Sequence, residues 1–252
     1  MNKRKKQVIH CIGDSHVSLF GGADKIWPEW PSKVNSSVRG FMVYHLGPVL
    51  AYNLIEQRST TNSREKLEAI LKQELPSSSW VLMCFGEIDC RAHLLKQAEK
   101  KGKCELAVAC DCAERYFKVL LLVKEMGHKP IAYNVIPSAR KNKPKTGFPT
   151  YGNCLERNNI TRLFNAHLNK LCAEQDIPFI DTFDQFVNKR GLTLSRFYMD
   201  RIHLSQKALP LTKAAIGRVL SGFKFETIKV STHERRGFMK CFFSDSKSIW
   251  KQ

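Results

Sequence analysis

Short apolar runs alternate along this chain with stretches of helical periodicity. The first run, Val8-Ile9-His10-Cys11-Ile12, is continuous in character, as suits a strand at the centre of a parallel sheet, and it stops abruptly at Gly13-Asp14-Ser15. Trp27-Pro28-Glu29-Trp30-Pro31 reads as an irregular loop with aromatic anchors. Phe41 to Tyr44 forms a second short strand that enters a turn at His45-Leu46-Gly47-Pro48, and an apolar-periodic helix is expected around Val49 to Gln57. Asn62 or Ser63 can cap a helix that Pro76 ends after about Glu74. Trp80 to Phe85 is the most convincing buried strand, and it too closes on a glycine, here followed by carboxylates: Gly86-Glu87-Ile88-Asp89-Cys90-Arg91.

A long helical region follows, its better part running from Ala107 to Met126 with Gly127 as its stop. Lys129 to Val135 predicts a further strand, with Pro130 near its start, where a missing donor is tolerated. Pro137 to Gly152, rich in Lys, Pro and Gly, reads as a long mobile loop and a candidate lid over the strand ends. The segment 155–175 places Ile160, Leu163, Phe164, Leu168 and Leu171 on one helical face. Ile177 to Asp181 is a last core strand, and residues 206–220 predict a closing helix interrupted near Pro210.

Strand and helix alternate about five times, which predicts an α/β protein with a mostly parallel sheet wrapped by helices. At 252 residues the chain can bury one full α/β core, and it contains no internal repeat. Three regions are expected: a basic tail over residues 1–7, a folded domain over 8–222, and a basic, aromatic extension over 223–252.

Composition changes this picture only in its charge. With 43% hydrophobic and 25% charged residues the chain has ordinary globular proportions. No apolar run approaches the roughly 18 to 20 residues that cross a bilayer. The basic start resembles that of a signal peptide, but its apolar part is only Val8 to Ile12, so it reads as the first core strand and the protein as cytoplasmic. Nine cysteines, an odd number, read as mostly reduced and buried. Cys104, Cys110 and Cys112 lack paired metal-ligand spacing, and no metal is expected. The net charge of +18 implies attraction to something anionic. No zinc finger, RNA-recognition signature or helix-turn-helix accompanies it, so sequence-specific nucleic-acid binding is not expected. Beyond Phe223, seven Lys or Arg residues mix with aromatics such as Phe242, Phe243 and Trp250. Such a segment can seat on an anionic membrane surface, here the inner face, or on a protein partner; it can equally pack its aromatics back onto the domain.

Two remote segments carry candidate chemistry. Gly13 can make the tight turn that leaves Ser15 at the carboxyl end of the first strand, where open α/β sheets bind ligands. Near the other end, Tyr198-Met199-Asp200-Arg201-Ile202-His203 places an aspartate three residues before a histidine. That carboxylate can hold the ring's Nδ1–H while Nε2 faces outward, the orientation a serine nucleophile requires. Each segment also has a plainer reading: an Asp/Ser turn after a strand, and a loop aspartate beside a surface histidine.

Taken together the two resemble the SGNH (GDSL-type) hydrolases, with Gly13-Asp14-Ser15 as the first block and Asp200-x-x-His203 as the last. The resemblance covers roughly Val8 to Gly222. It implies a flavodoxin-like, three-layer α/β/α sandwich around a five-stranded sheet, with Ser15 as nucleophile, His203 as general base and Asp200 as its orienting carboxylate. By position Gly47 is similar to the second-block glycine, whose N–H joins that of the serine in the oxyanion hole, and Gly86-Glu87-Ile88-Asp89 falls where the third block belongs. One departure stands out: Ile88 occupies the position of the oxyanion asparagine. Losing one such donor typically costs roughly 100- to 1,000-fold in rate. Arg91 is a candidate replacement donor, while Glu87 or Asp89 can bind a sugar hydroxyl or hold Arg91 in a salt bridge. Asp14, His16 and His45 are expected at the same rim, the two histidines as hydrogen-bonding neighbours. The Gly-Glu-Ile-Asp-Cys-Arg block also resembles a branch linked with surface polysaccharide biosynthesis.

The expected activity is a cofactor-free serine esterase acting on an acyl group, in particular acetyl, carried by a carbohydrate or related small-molecule ester. Three other readings stay open: an acyltransferase using the same groups, a non-catalytic glycan-binding or assembly module on a degenerate fold, and a nucleic-acid-associated protein motivated by charge alone.

Overall fold

The computed structural model describes residues 8–32, 38–138, 140 and 148–221. The expected N-terminal tail, the C-terminal extension and the centre of the candidate lid fall outside the described residues.

Five strands form one parallel sheet: β1 (Ile9–Gly13), β2 (Phe41–His45), β3 (Trp80–Cys84), β4 (Lys129–Tyr133) and β5 (Phe179–Ile180). Their spatial order is β2-β1-β3-β4-β5, so the winding reverses between β1 and β3. Strands buried on both faces need apolar side chains in both directions, which is why these runs are continuous. Ile12, Val81, Met83 and Ala132 enter one core layer, while Ile9, Cys11, Leu82, Ile131 and Tyr133 enter the other.

The first layer is covered by α1 (Ser63–Ala69), α2 (Leu94–Lys101), α3 (Glu105–Glu125) and α4 (Cys154–Glu174), with Tyr116 and Phe164 stacked between the last two. The second is covered by the 3-10 turn Ser15–Gly21 and by α5 (Leu209–Val219). The molecule is therefore the expected three-layer α/β/α sandwich. Among the described residues no helix is long and apolar enough to cross a membrane.

Two local expectations differ from what the chain does. The helix anticipated over 49–57 is a single 3-10 turn at Ala51–Asn53. Its apolar residues Val49, Ala51 and Leu54 still reach the core, but the backbone N–H groups of Ala51 and Tyr52 donate to the buried Asp89 carboxylate at 2.8 and 3.2 Å instead of to a preceding helical turn. Pro210 does not interrupt the last helix; it sits in the first turn, where its missing N–H costs nothing. At the start of the candidate lid, Tyr198 Oη donates to the Pro137 carbonyl at 2.6 Å, and the Ser138 N–H donates to Asn158 Oδ1 at 2.9 Å.

The strand ends that hold the site are tied by backbone alone. The Asp14 N–H donates to the Cys84 carbonyl at 3.2 Å, and the Leu46 N–H donates to the Gly13 carbonyl at 2.8 Å. Only glycine fits at position 13, because a Cβ there would stand 2.5 Å from the Cys84 carbonyl oxygen and 2.9 Å from Val17 Cβ.

Gly13→Ala must push β1 and β3 apart, and urea unfolding should show a loss of about 2 kcal/mol or more, the range of overpacked core sites. Burial raises the Asp89 carboxyl to about 7, against the opposing hydrogen bonds from Ala51 and Tyr52. The folded state therefore binds a proton at Asp89 that the unfolded chain releases near its ordinary value, so this residue's contribution to stability falls as pH rises from about 4 to about 7. Asp89→Asn should flatten that part of the stability–pH curve, read by urea unfolding of both proteins across the same pH range.

Candidate active site

Ser15 opens the 3-10 turn that follows β1, capped by the Asp14 side chain through the His16 N–H at 2.9 Å. The last element of the site is the loop between Tyr198 and Leu204. These two residues form an isolated antiparallel bridge, and the Met199 N–H donates to the His203 carbonyl at 3.0 Å, closing the loop on itself. Arg201 takes a left-handed backbone conformation (φ 83°) at its apex. Within this loop Asp200 Oδ1 accepts from the N–H groups of Ile202 and His203 at 3.0 and 2.8 Å, while Oδ2 lies 2.6 Å from His203 Nδ1. Burial works to raise the Asp200 carboxyl, but the hydrogen bonds from the His203 ring and from these two backbone N–H groups outweigh it and hold the group well below the usual carboxylate range.

Across 188 residues of chain, His203 Nε2 stands 2.8 Å from Ser15 Oγ. With Nδ1–H donated to the aspartate, Nε2 carries the lone pair and accepts from the serine hydroxyl. His203 is 1% exposed, whereas Ser15 and Asp200 at either end of this hydrogen-bonded chain are partly open to solvent. A hydroxyl, imidazole and carboxylate in this order can transfer a proton away from oxygen as that oxygen attacks an electrophile.

Gly47 follows β2 with φ 93°, a conformation that favours glycine, and a Cβ there would lie 2.7 Å from Glu29 Oε2. Gly86 follows β3 with φ 106°, and a Cβ there would collide with Val135 at 2.8 Å. Both glycines thus stand at strand ends flanking Ser15. His45, buried at the end of β2, lies 2.7 Å from the Trp27 carbonyl through Nδ1 and tethers the aromatic loop rather than reaching the serine.

The third block is arranged differently from the simplest expectation. Arg91 is buried, its Nε donates to Glu87 Oε1 and Oε2 at 2.8 and 3.0 Å, and its Nη1 donates to the Pro149 carbonyl. The guanidinium is engaged as a structural tie, which counts against its service as the replacement oxyanion donor. Asp89 is buried and its oxygens accept from the Ala51 and Tyr52 N–H groups; of the two carboxylates, Glu87 is the one that holds Arg91. Asp14 is likewise fully buried and holds His16 through Nδ1 at 3.0 Å.

Two contributors escaped the sequence reading. Phe148 lies edge-on to the His203 ring with centroids 5.7 Å apart, and the Arg91 guanidinium sits 5.9 Å from its ring. Glu29 packs against Gly47. Both are in irregular segments where no periodicity marks them; an aromatic within the Lys/Pro/Gly-rich stretch was the only available signal for Phe148. A cavity of about 240 Å³, lined by Leu50, Asn53, Asp89, His93, Gln97 and Lys101, does not include Ser15, His203 or Asp200 in its lining.

No family model matches the sequence, and no curated protein matches it. Solved structures do resemble it. A carbohydrate acetylesterase from Sinorhizobium meliloti aligns with a TM-score of 0.53 at 14% identity, over 87% of this chain and 100% of that one. A protein described as lipolytic and of the G-D-S-L family, from Desulfitobacterium hafniense, aligns with a TM-score of 0.51 at 16% identity, over 85% and 99% of the two chains. With its parallel sheet in the order β2-β1-β3-β4-β5 and these likenesses along most of its length, the chain has the fold of the SGNH (GDSL-type) hydrolases.

Proposed function

We propose that the protein is a serine esterase that removes a small acyl group, in particular acetyl, from a carbohydrate or related ester. The observation that carries this reading is the 2.8 Å approach of Ser15 Oγ to His203 Nε2, with Asp200 2.6 Å from the opposite ring nitrogen. Ser15 Oγ attacks the ester carbonyl carbon while its proton passes to His203 Nε2. The resulting imidazolium is stabilised by Asp200, and the tetrahedral oxyanion by the N–H groups of Ser15 and Gly47. Collapse breaks the bond to the alcohol, which leaves with the proton from Nε2. A water then repeats the sequence on the acyl-serine, releasing the carboxylic acid and restoring the hydroxyl. No metal or cofactor enters these steps.

The carbohydrate ester is supported by the likeness to a carbohydrate acetylesterase, and the hydrophobic edge of Phe148 beside His203 suits a small acyl or sugar face. Ile88, where the family's asparagine would donate, leaves two backbone donors and favours esters with modest demands on the oxyanion hole. That same position motivates the non-catalytic alternative, a glycan-binding module. Exclusion of water from the acyl-serine would make the protein an acyltransferase instead.

A fluorophosphonate probe should label the folded protein at Ser15 and label neither Ser15→Ala nor His203→Ala. Acetate should be released from an O-acetylated oligosaccharide, and Asp200→Asn should lower that rate about 1,000-fold or more, because the ring loses the partner that fixes its tautomer. Absence of labelling in folded wild-type protein supports the binding module, and acetyl appearing on an added sugar acceptor supports transfer.

A further inference from the structure

A second imidazole–carboxylate pair lies beside the Ser15–His203–Asp200 chain, and the reaction just described leaves it unused. His16, the residue after the nucleophile, is buried. Its Nδ1 lies 3.0 Å from Asp14 Oδ1, and its Nε2 faces the Ile202 carbonyl oxygen at 3.4 Å and Glu87 Oε2 at 3.7 Å. Every one of these partners is an acceptor. A neutral imidazole carries one lone pair and would aim it at an oxygen in either tautomer; only the imidazolium presents an N–H on both sides.

The charges around the ring point the same way. Asp14 faces His16 from its own segment, Glu87 and Arg91 from the turn after β3, and His203, with Asp200 beyond it, from the loop before α5. Asp14 and Glu87 are buried carboxylates, and Arg91 is a single cation already paired with Glu87. An uncharged His16 would leave Asp14 as a buried, unmatched anion, the arrangement that costs most. Burial by itself pushes His16 toward its neutral form, but the adjacent Asp14 and Glu87 outweigh it and raise the ring above its ordinary value. The His16 and His203 rings are 4.7 Å apart between centroids and tilted by 35°.

We propose that His16 is a positioning residue that stays protonated and sets its charge against the His203 ring, keeping that ring free to accept the Ser15 proton in mildly acid solution. A positive charge at this distance opposes a second one on His203; with an effective dielectric between that of water and about 20, the displacement is on the order of one pH unit. Asp200 acts in the opposite sense, stabilising the imidazolium that forms during reaction. The two neighbours therefore act on the same ring in opposite senses, Asp200 favouring the imidazolium and His16 opposing it, before and during reaction alike. A ring protonated on both nitrogens has no lone pair to offer, so His16 is not a second base.

The enzymatic consequence rests on the esterase reading, whereas the coupling between the two rings does not. Imidazole resonances of the full chain, followed by NMR against pH, should show His16 holding both protons throughout the range in which His203 titrates. His16→Asn keeps an N–H donor toward Asp14 without the charge. In it the His203 titration should move up by about one pH unit, and the acid limb of kcat/KM for 4-nitrophenyl acetate should move with it. The variant-to-wild-type activity ratio would then fall about tenfold between neutral and acid solution. A wild-type His16 that loses its proton before or together with His203 overturns the proposal, and this measurement needs no variant to fold. An unmoved His203 titration in folded His16→Asn overturns it equally. Ring titrations as expected in a protein that hydrolyses no ester would uphold the coupling and reject the esterase reading instead.

Discussion

Three strand ends meet at one point, and backbone hydrogen bonds hold them there. Asp14 N–H reaches the Cys84 carbonyl and Leu46 N–H reaches the Gly13 carbonyl, so the segments leaving β1, β2 and β3 are locked to one another before any side chain contributes. The absence of a Cβ at Gly13 is what permits this spacing. Because the sheet reverses its winding between β1 and β3, the loops on either side part there and leave a crevice above the carboxyl ends. Ser15 stands in that crevice because it is the second residue after the glycine.

Around this pinned centre the irregular segments are secured by buried ionisable side chains. Asp89 gathers the backbone after Gly47, Glu87 holds Arg91, and Arg91 reaches the Pro149 carbonyl on the segment that carries Phe148. Buried carboxylates and guanidinium groups are poor sources of net stability, since desolvation consumes much of what their pairing returns. Their value here is directional: each is short of partners unless its loop adopts one particular path. Ile88 carries no polar side chain, and Glu87 and Asp89 on either side of it hold the scaffold. The hydrogen-bonded chain of Ser15, His203 and Asp200 is then supported by geometry fixed several residues away.

Much of this was legible one segment at a time. The apolar runs at 8–12, 41–44, 80–85, 129–135 and 177–181 read as strands covered on both faces, and the five strands fall where those runs lie. The helix expected over 49–57 failed because periodicity reports which side chains are buried and not what satisfies the backbone. Val49, Ala51 and Leu54 do face the core, yet the acceptor for Ala51 and Tyr52 is a carboxylate 37 or 38 residues further on. Pro210 was misjudged for a related reason: its effect depends on whether the helix has begun, and the preceding 3-10 turn at Gln206–Ala208 decides that.

Local sequence determined the parallel α/β class, the glycine at the end of β1 and the pairing of Asp200 with His203, because each depends on residues within a few positions of one another. Tertiary structure alone decided that Ser15 meets His203 across 188 residues, that Arg91 turns inward to Glu87, and that the His16 ring lies against the His203 ring. Hydrophobic patterning specifies which face of an element is buried, and many registers between loops satisfy it equally. Which polar groups come to share one crowded crevice is settled only when the strand ends are locked and every buried donor and acceptor must find its partner.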